Sequence, residues 1–295
     1  MQLIIDHHTR YSYAAPVSLS VHRFFLYPRL HPDLTLRHYD LRILPQVSVQ
    51  WLRDAHDNHF LQAFFPDPTD HLEIDLHLAV ENAQPNPFAF LLAHEAVNFP
   101  FPYSAAEQPL LAPFLTPPPE AATLRDWWTA RQPLQAGPTI SLLTEWVRQF
   151  PSHFRYTVRE EEGTFSPTET LARGEGSCRD LATLFTALCR SCGLAARLVT
   201  GYLYTPPENG AVEEWDQSGA ATEAAAALHA WVEVYLPGGG WRGLDPTNGV
   251  FADDHYLPLA VAPSLGPTHP FQGNYFSTTP VASTIHTHLR IAASP

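Results

Sequence analysis

The chain has 295 residues, 45% hydrophobic and 12% aromatic, enough for one large domain or two small ones with a real core, and too apolar for wholesale disorder. Its formal net charge of −13 comes from 30 acidic residues against 17 basic ones, all arginine and none adjacent, so a nucleic-acid backbone has no electrostatic footprint to bind. The three cysteines, Cys178, Cys189 and Cys192, are too few and too clustered for a disulfide framework. The first residues, Met1-Gln2-Leu3-Ile4-Ile5-Asp6-His7, lack the basic and long apolar regions of a signal peptide, and no apolar run reaches the ~18 residues of a membrane helix. The expectation is a cytoplasmic protein with no membrane partner.

In chain order, residues 1–85 read as a β-rich N-terminal domain. Short alternating runs at Tyr39-Asp40-Leu41-Arg42-Ile43, Val47-Ser48-Val49-Gln50-Trp51 and Leu72-Glu73-Ile74-Asp75-Leu76-His77-Leu78 are separated by Pro, Asp and Asn turn signals, which predicts a sandwich-like unit. Residues 86–138 form a Pro-rich connecting segment, with Pro117-Pro118-Pro119 before a short helix around Ala121 to Arg131. Its Phe88, Phe90, Leu91, Leu92, Phe99, Phe101, Trp127 and Trp128 need a surface to bury against, so it should pack on the core.

The core is expected over 139–295. Leu142, Leu143, Trp146 and Phe150 share one face of a predicted helix over Ile140 to Phe150. A second helix is predicted from Cys178 to Cys192, with a stripe of Leu181, Leu184, Phe185, Leu188, Cys189 and Cys192 and a stop at Gly193. Arg197 to Tyr204, His229 to Leu236 and Trp241 to Leu244 read as strands, the last two joined by a turn at Pro237-Gly238-Gly239-Gly240. The Pro-, Asn- and Ala-rich stretch 205–228 reads as a mobile loop.

Ser177 followed by Asp180 is a capping-box pattern that puts Cys178 at the first helical position. A thiol there sits among unpaired backbone N–H groups at the positive end of the helix dipole, and both favour the reactive thiolate. Cys189 and Cys192 fall instead on the buried stripe, where cysteine acts as a small hydrophobe. A nucleophilic thiol also needs a base and a group to orient that base. His229, alternating with the apolar Ala230, Val232, Val234 and Leu236, can supply the base, and Asp245 beyond the turn can supply the carboxylate. Both must lie on one face of the hairpin, which requires an odd-length loop or a bulge at the turn.

The run Gly174-Glu175-Gly176-Ser177-Cys178-Arg179-Asp180-Leu181-Ala182 resembles the nucleophile motif of bacterial transglutaminase-like proteins. The blocks His229-Ala230-Trp231-Val232-Glu233-Val234-Tyr235 and Leu244-Asp245-Pro246-Thr247-Asn248 resemble the family's His and Asp motifs. Tyr11, Tyr13, Pro16-Val17 and Pro28-Arg29 resemble the β-rich N-terminal domain usually fused to that core. The resemblance implies an α+β fold, with a β-sandwich-like domain before a papain-like core whose Cys-bearing helix packs on an antiparallel sheet. It also implies acyl transfer from an amide of a peptide or protein substrate through a thioester, with Cys178 as nucleophile, His229 as base then acid, and Asp245 orienting the imidazole. No cofactor is implied.

Water as acceptor would make a cysteine peptidase or amidase, and an amine would make a protein-glutamine transglutaminase. Hydrolysis is the simpler expectation, because water needs no second binding site. A non-catalytic peptide-binding module is the alternative of another class, and the retained Cys, His and Asp argue against it. His7-His8, His56 with His59 and His286 with His288 suggest a metal site, but in a chain with 16 histidines such pairs are ordinary, and no metal is expected.

Overall fold

The computed structural model describes residues 1–83, 86–132, 136–159, 163–206, 214–216 and 227–294. In the N-terminal region the strands Gln2–Leu19, Leu34–Leu44 and Thr69–Asn82 form an antiparallel sheet with Thr69–Asn82 between the other two. Alternation sets its faces: Leu3, Ile5, Leu72, Ile74, Leu76 and Leu78 point inward and are buried. A smaller sheet of His22–Phe24, Ser48–Arg53 and His59–Phe64 adds Phe24, Leu61 and Ala63 to the same core, giving the sandwich that the alternating runs predict.

The expected division at 139–295 needs a correction. Strand Ser283–Ser294 leaves the C-terminal half and pairs with Gln2–Leu19 from Gln2↔Ser294 to Tyr13↔Ser283. Phe271–Gln272 likewise joins His22–Phe24. The first strand has two long hydrogen-bonding edges, and an edge left open is a liability that a second partner removes. Leu289 and Ile291 supply the inward side chains of that partner.

The C-terminal half is built on a five-stranded antiparallel sheet in the order Val250–Phe251, Gly240–Asp245, Ala227–Leu236, Ala196–Leu203, Tyr256–Ala262. Helix Cys178–Ser191 lies on one face, where Leu181, Leu184, Phe185 and Leu188 meet Ala230, Val232, Val234 and Leu236. Full burial of such a side chain contributes roughly 1.5–3 kcal/mol, so this contact fixes the helix against the sheet. Tyr202, Leu257 and Leu259 enter the N-terminal core, and the two halves share that interior. The architecture is the α+β arrangement that the motifs imply.

Within the connecting segment, Phe99, Leu124 and Trp128 are buried in the C-terminal core, the last two from helix Ala121–Thr129, and the Ala93 N–H donates to the Pro237 carbonyl at 2.8 Å. Leu91 and Phe88 are the exceptions, at 86% and 45% exposure. Helix Gln108–Leu115 was not legible, because Pro109 and Pro113 read as breakers. The expected loop over 205–228 lies largely outside the described residues, but strand Glu214–Asp216 within it pairs with Ser283–Ser294.

Candidate active site

The hairpin register decides whether the three motif residues can meet. Leu236 pairs with Gly240 and Val232 with Leu244, leaving the three-residue loop Pro237, Gly238 and Gly239. The loop is odd, as the parity argument requires. Continued by one step, the register sets Asp245 across from Trp231, so His229 is its same-face diagonal neighbour. Gly238 has φ of +79°, and a Cβ there would lie 2.3 Å from the Ala93 nitrogen, so the turn needs glycine for conformation and for space.

His229 Nε2 and Asp245 Oδ2 are 2.8 Å apart. Asp245 is fully buried, and its carboxylate also accepts from the Tyr256 hydroxyl at 2.8 Å, the Asn248 side-chain amide at 2.7 Å and the Thr247 N–H at 2.8 Å. Burial alone would push its pKa up. The charge and hydrogen bond of His229, with Tyr256 and Thr247, outweigh burial and hold Asp245 below the usual carboxylate range. Burial would also lower the His229 pKa, but Asp245 and the Cys178 sulfur together push it up to about 10.

The other ring nitrogen of His229 is left for Cys178, whose sulfur lies near enough to the ring and to the Ala230 backbone for both to favour the thiolate. Burial raises the Cys178 pKa, and the His229 bond and charge bring it net below the ordinary thiol value. As the first residue of its helix, Cys178 has a backbone N–H with no intrahelical acceptor. Both shifts run toward thiolate and imidazolium. Cys189 is fully buried and its pKa is well above normal, and burial pushes Cys192 up to about 11. Cys189 lies on the buried stripe as expected, whereas Cys192 falls at the helix C-cap and, like Cys178, is only partly buried.

Asp180 does more than cap. One oxygen accepts from the Ser177 N–H at 2.9 Å and the Ser177 hydroxyl at 2.8 Å. The other accepts from the Phe165 N–H at 2.7 Å, and the Arg159 guanidinium spans both oxygens at 2.8 and 2.9 Å. The carboxylate thus ties the segment before the nucleophile helix to the helix start. In that segment Arg155–Tyr156 runs parallel to Glu175–Gly176, with Tyr156 paired to Gly176. Tyr156 neighbours Cys178 while half of the residue stays exposed (51%).

Tyr156, Tyr256 and Arg159 carried no signal in sequence, since each comes from an element remote from the motif it touches. Asn248 belongs to the Asp motif, though its bond to Asp245 needed the turn geometry. Of the histidine pairs, His7 and His8 point to opposite faces of one strand. His7 is buried on the Tyr202 hydroxyl at 2.7 Å, its pKa held down near 3 by burial and then by His8.

The family model for the bacterial transglutaminase-like N-terminal region matches residues 3–81, and that for the transglutaminase-like superfamily matches residues 129–246. An uncharacterized protein of Mycobacterium tuberculosis is 27% identical over 286 residues, covering 93% of this chain and 88% of the relative. An uncharacterized protein of Mycobacterium leprae is 33% identical over 110 residues, covering 37% of this chain and 36% of the relative. Among solved structures, a candidate cysteine protease from Cytophaga hutchinsonii superposes with a TM-score of 0.71 at 17% identity, covering all (100%) of this chain and 92% of the other, which shows a shared fold. Residues 129–246 thus match the transglutaminase-like superfamily and residues 3–81 the bacterial transglutaminase-like N-terminal region, in the order that the sequence motifs imply.

Proposed function

We propose that the protein is a thiol-dependent acyl-transfer enzyme that cleaves peptide or side-chain amide bonds with Cys178, His229 and Asp245. The observation that supports this reading is the buried Asp245–His229 hydrogen bond beside a thiol at a helix N-terminus whose pKa the imidazole lowers. The Cys178 thiolate attacks the amide carbonyl carbon and forms a tetrahedral oxyanion. His229 then gives its proton to the departing amine as the C–N bond breaks, leaving a thioester. Water, deprotonated by His229, attacks the thioester, and the carboxylic acid leaves as the thiolate is restored. The Cys178 N–H and the Tyr156 hydroxyl are the two donors suited to the oxyanion, the second turning from sulfur to oxygen as the charge moves.

Water is the preferred acceptor in this reading. A primary-amine acceptor would need a second binding site beside the thioester. The test incubates a glutamine-containing peptide with the protein, with and without a labelled primary amine, and follows ammonia release, peptide cleavage and amine incorporation. Hydrolysis predicts ammonia or cleavage without incorporation, and amine incorporation would reassign the acceptor. Turnover that is unchanged in Cys178→Ala would remove the thiol mechanism altogether.

A further inference from the structure

The N-terminal sheet turns a second polar cluster outward, away from the core and unused by the proposed chemistry. The strand registers line up Arg42, Asp75, His8 and His288 in one row, and Asp40, His77, Asp6 and Arg290 in the next. These rows border a concavity of about 500 Å³.

Within it, His8 Nδ1 lies 2.5 Å from Asp75 Oδ1. An ionised carboxylate only accepts, so Nδ1 is the donor in this contact and Nε2 is left for another partner. That nitrogen faces Glu73 Oε1 at 3.8 Å, while Glu73 Oε2 is taken by the Arg10 guanidinium at 3.1 Å. The imidazole nitrogen and the carboxylate oxygen face each other across a gap that a cation can bridge. One donor atom from each of His8, Glu73 and Asp75 lies within 4.8 Å of the others. Tetrahedral zinc, with bonds of ~2.0–2.1 Å, holds its donors roughly 3.3 Å apart, so small side-chain rotations close the gap. A carboxylate on the far nitrogen is also how metal-binding imidazoles are oriented.

We propose that His8 and Glu73, with Asp75 orienting His8, bind a first-row divalent cation such as zinc on the outer face of the N-terminal sheet. Mixed imidazole and carboxylate donors suit that class of ion. His288, opposite His8 on the C-terminal strand, offers a further imidazole at the concavity. Through it the ion would pin the first and last strands of the sheet.

The experiment uses the full chain, stripped with EDTA and alkylated at Cys178 so that the reactive thiol takes no metal. Zinc is titrated by calorimetry, and thermal unfolding is followed in parallel. One equivalent should bind and raise Tm. His8→Ala and Glu73→Gln should abolish most of the binding, and Asp75→Asn should weaken it by about 10–100-fold. His56→Ala should change nothing. These side chains face solvent, and circular dichroism checks that the variants fold. No saturable uptake would overturn the site. Uptake unaltered by both His8→Ala and Glu73→Gln would overturn it as well, by moving the ion elsewhere, for instance to the Asp253, Asp254 and His255 cluster.

Discussion

Asp245→Asn keeps the shape of the carboxylate and removes its charge, so it isolates what that charge does for Cys178. The side chain is fully buried and 2.8 Å from His229 Nε2. Two unit charges about 4 Å apart at an effective dielectric near 20 attract by about 4 kcal/mol, or about three powers of ten in a protonation equilibrium. This matches in direction the rise of His229 to about 10. Without the charge, the imidazolium is no longer held at neutral pH, and the thiolate loses the cation that stabilises it. Iodoacetamide alkylation of Cys178 near pH 7 should slow by about 10²–10³-fold, with its acid limb moved to higher pH. The assay is the alkylation rate against pH, read by mass spectrometry at Cys178, with circular dichroism confirming the fold. A rate within about threefold of the parent's, under 1 kcal/mol, with an unmoved acid limb would refute the argument. A stability effect accompanies it. The folded pKa of Asp245 is depressed, so its contribution is present above the unfolded carboxyl's pKa and lost as pH falls through the folded one. The Asn variant should therefore lose less stability on acidification.

In the parent, Cys178 should alkylate far faster than Cys189 or Cys192, and equal labelling of all three in the folded protein would sink the nucleophile assignment. Because the Cys178 pKa is lowered and that of His229 is raised to about 10, amide turnover should lose its acid limb as the thiolate protonates and its alkaline limb near pH 10; a profile that still rises beyond pH 10 counts against the ion pair. Tyr156→Phe should cut kcat on amides by about 10²-fold with little change in KM, and slow alkylation much less, since alkylation forms no oxyanion. Equal slowing of both would leave Tyr156 as a thiolate partner alone. Asp180→Ala removes a buried carboxylate from the Arg159 guanidinium and from three hydrogen-bond donors and should cost about 3–5 kcal/mol in urea unfolding; a loss below 1 kcal/mol would show that the segment is held by other contacts.

Much of the site was legible because its signals are local. The nucleophile's place at a helix start follows from Ser177 and Asp180, and counting across the turn shows that His229 and Asp245 can share a face only with an odd loop or a bulge, the odd loop being the one found. The Leu181, Leu184, Phe185 and Leu188 stripe likewise gave the helix and the face it buries. What escaped came from long-range pairing. Tyr256 reaches Asp245 from a strand that carries no motif, and Tyr156 is delivered by a two-residue parallel ladder too short to leave a periodic trace. The boundary at 139 failed as a topological division for the same reason. Nothing near Ser283–Ser294 announces a partner at the opposite end of the sequence, and alternation alone gives a strand without naming its neighbour.

That pairing sets a timetable for folding. The entropic cost of closing so long a loop grows only logarithmically with its length, but the search for the contact is slow. At about 5–20 residues per second, roughly 15–60 s of synthesis separate Leu3 from its partner Ala293. Through that interval the first strand can pair with Thr69–Asn82 on one side only. The helix and sheet that carry Cys178, His229 and Asp245 use contacts much closer in sequence, so they can form while that edge is still open. The N-terminal sheet is then the last part to close, and its waiting edge is where a stalled or truncated chain would aggregate.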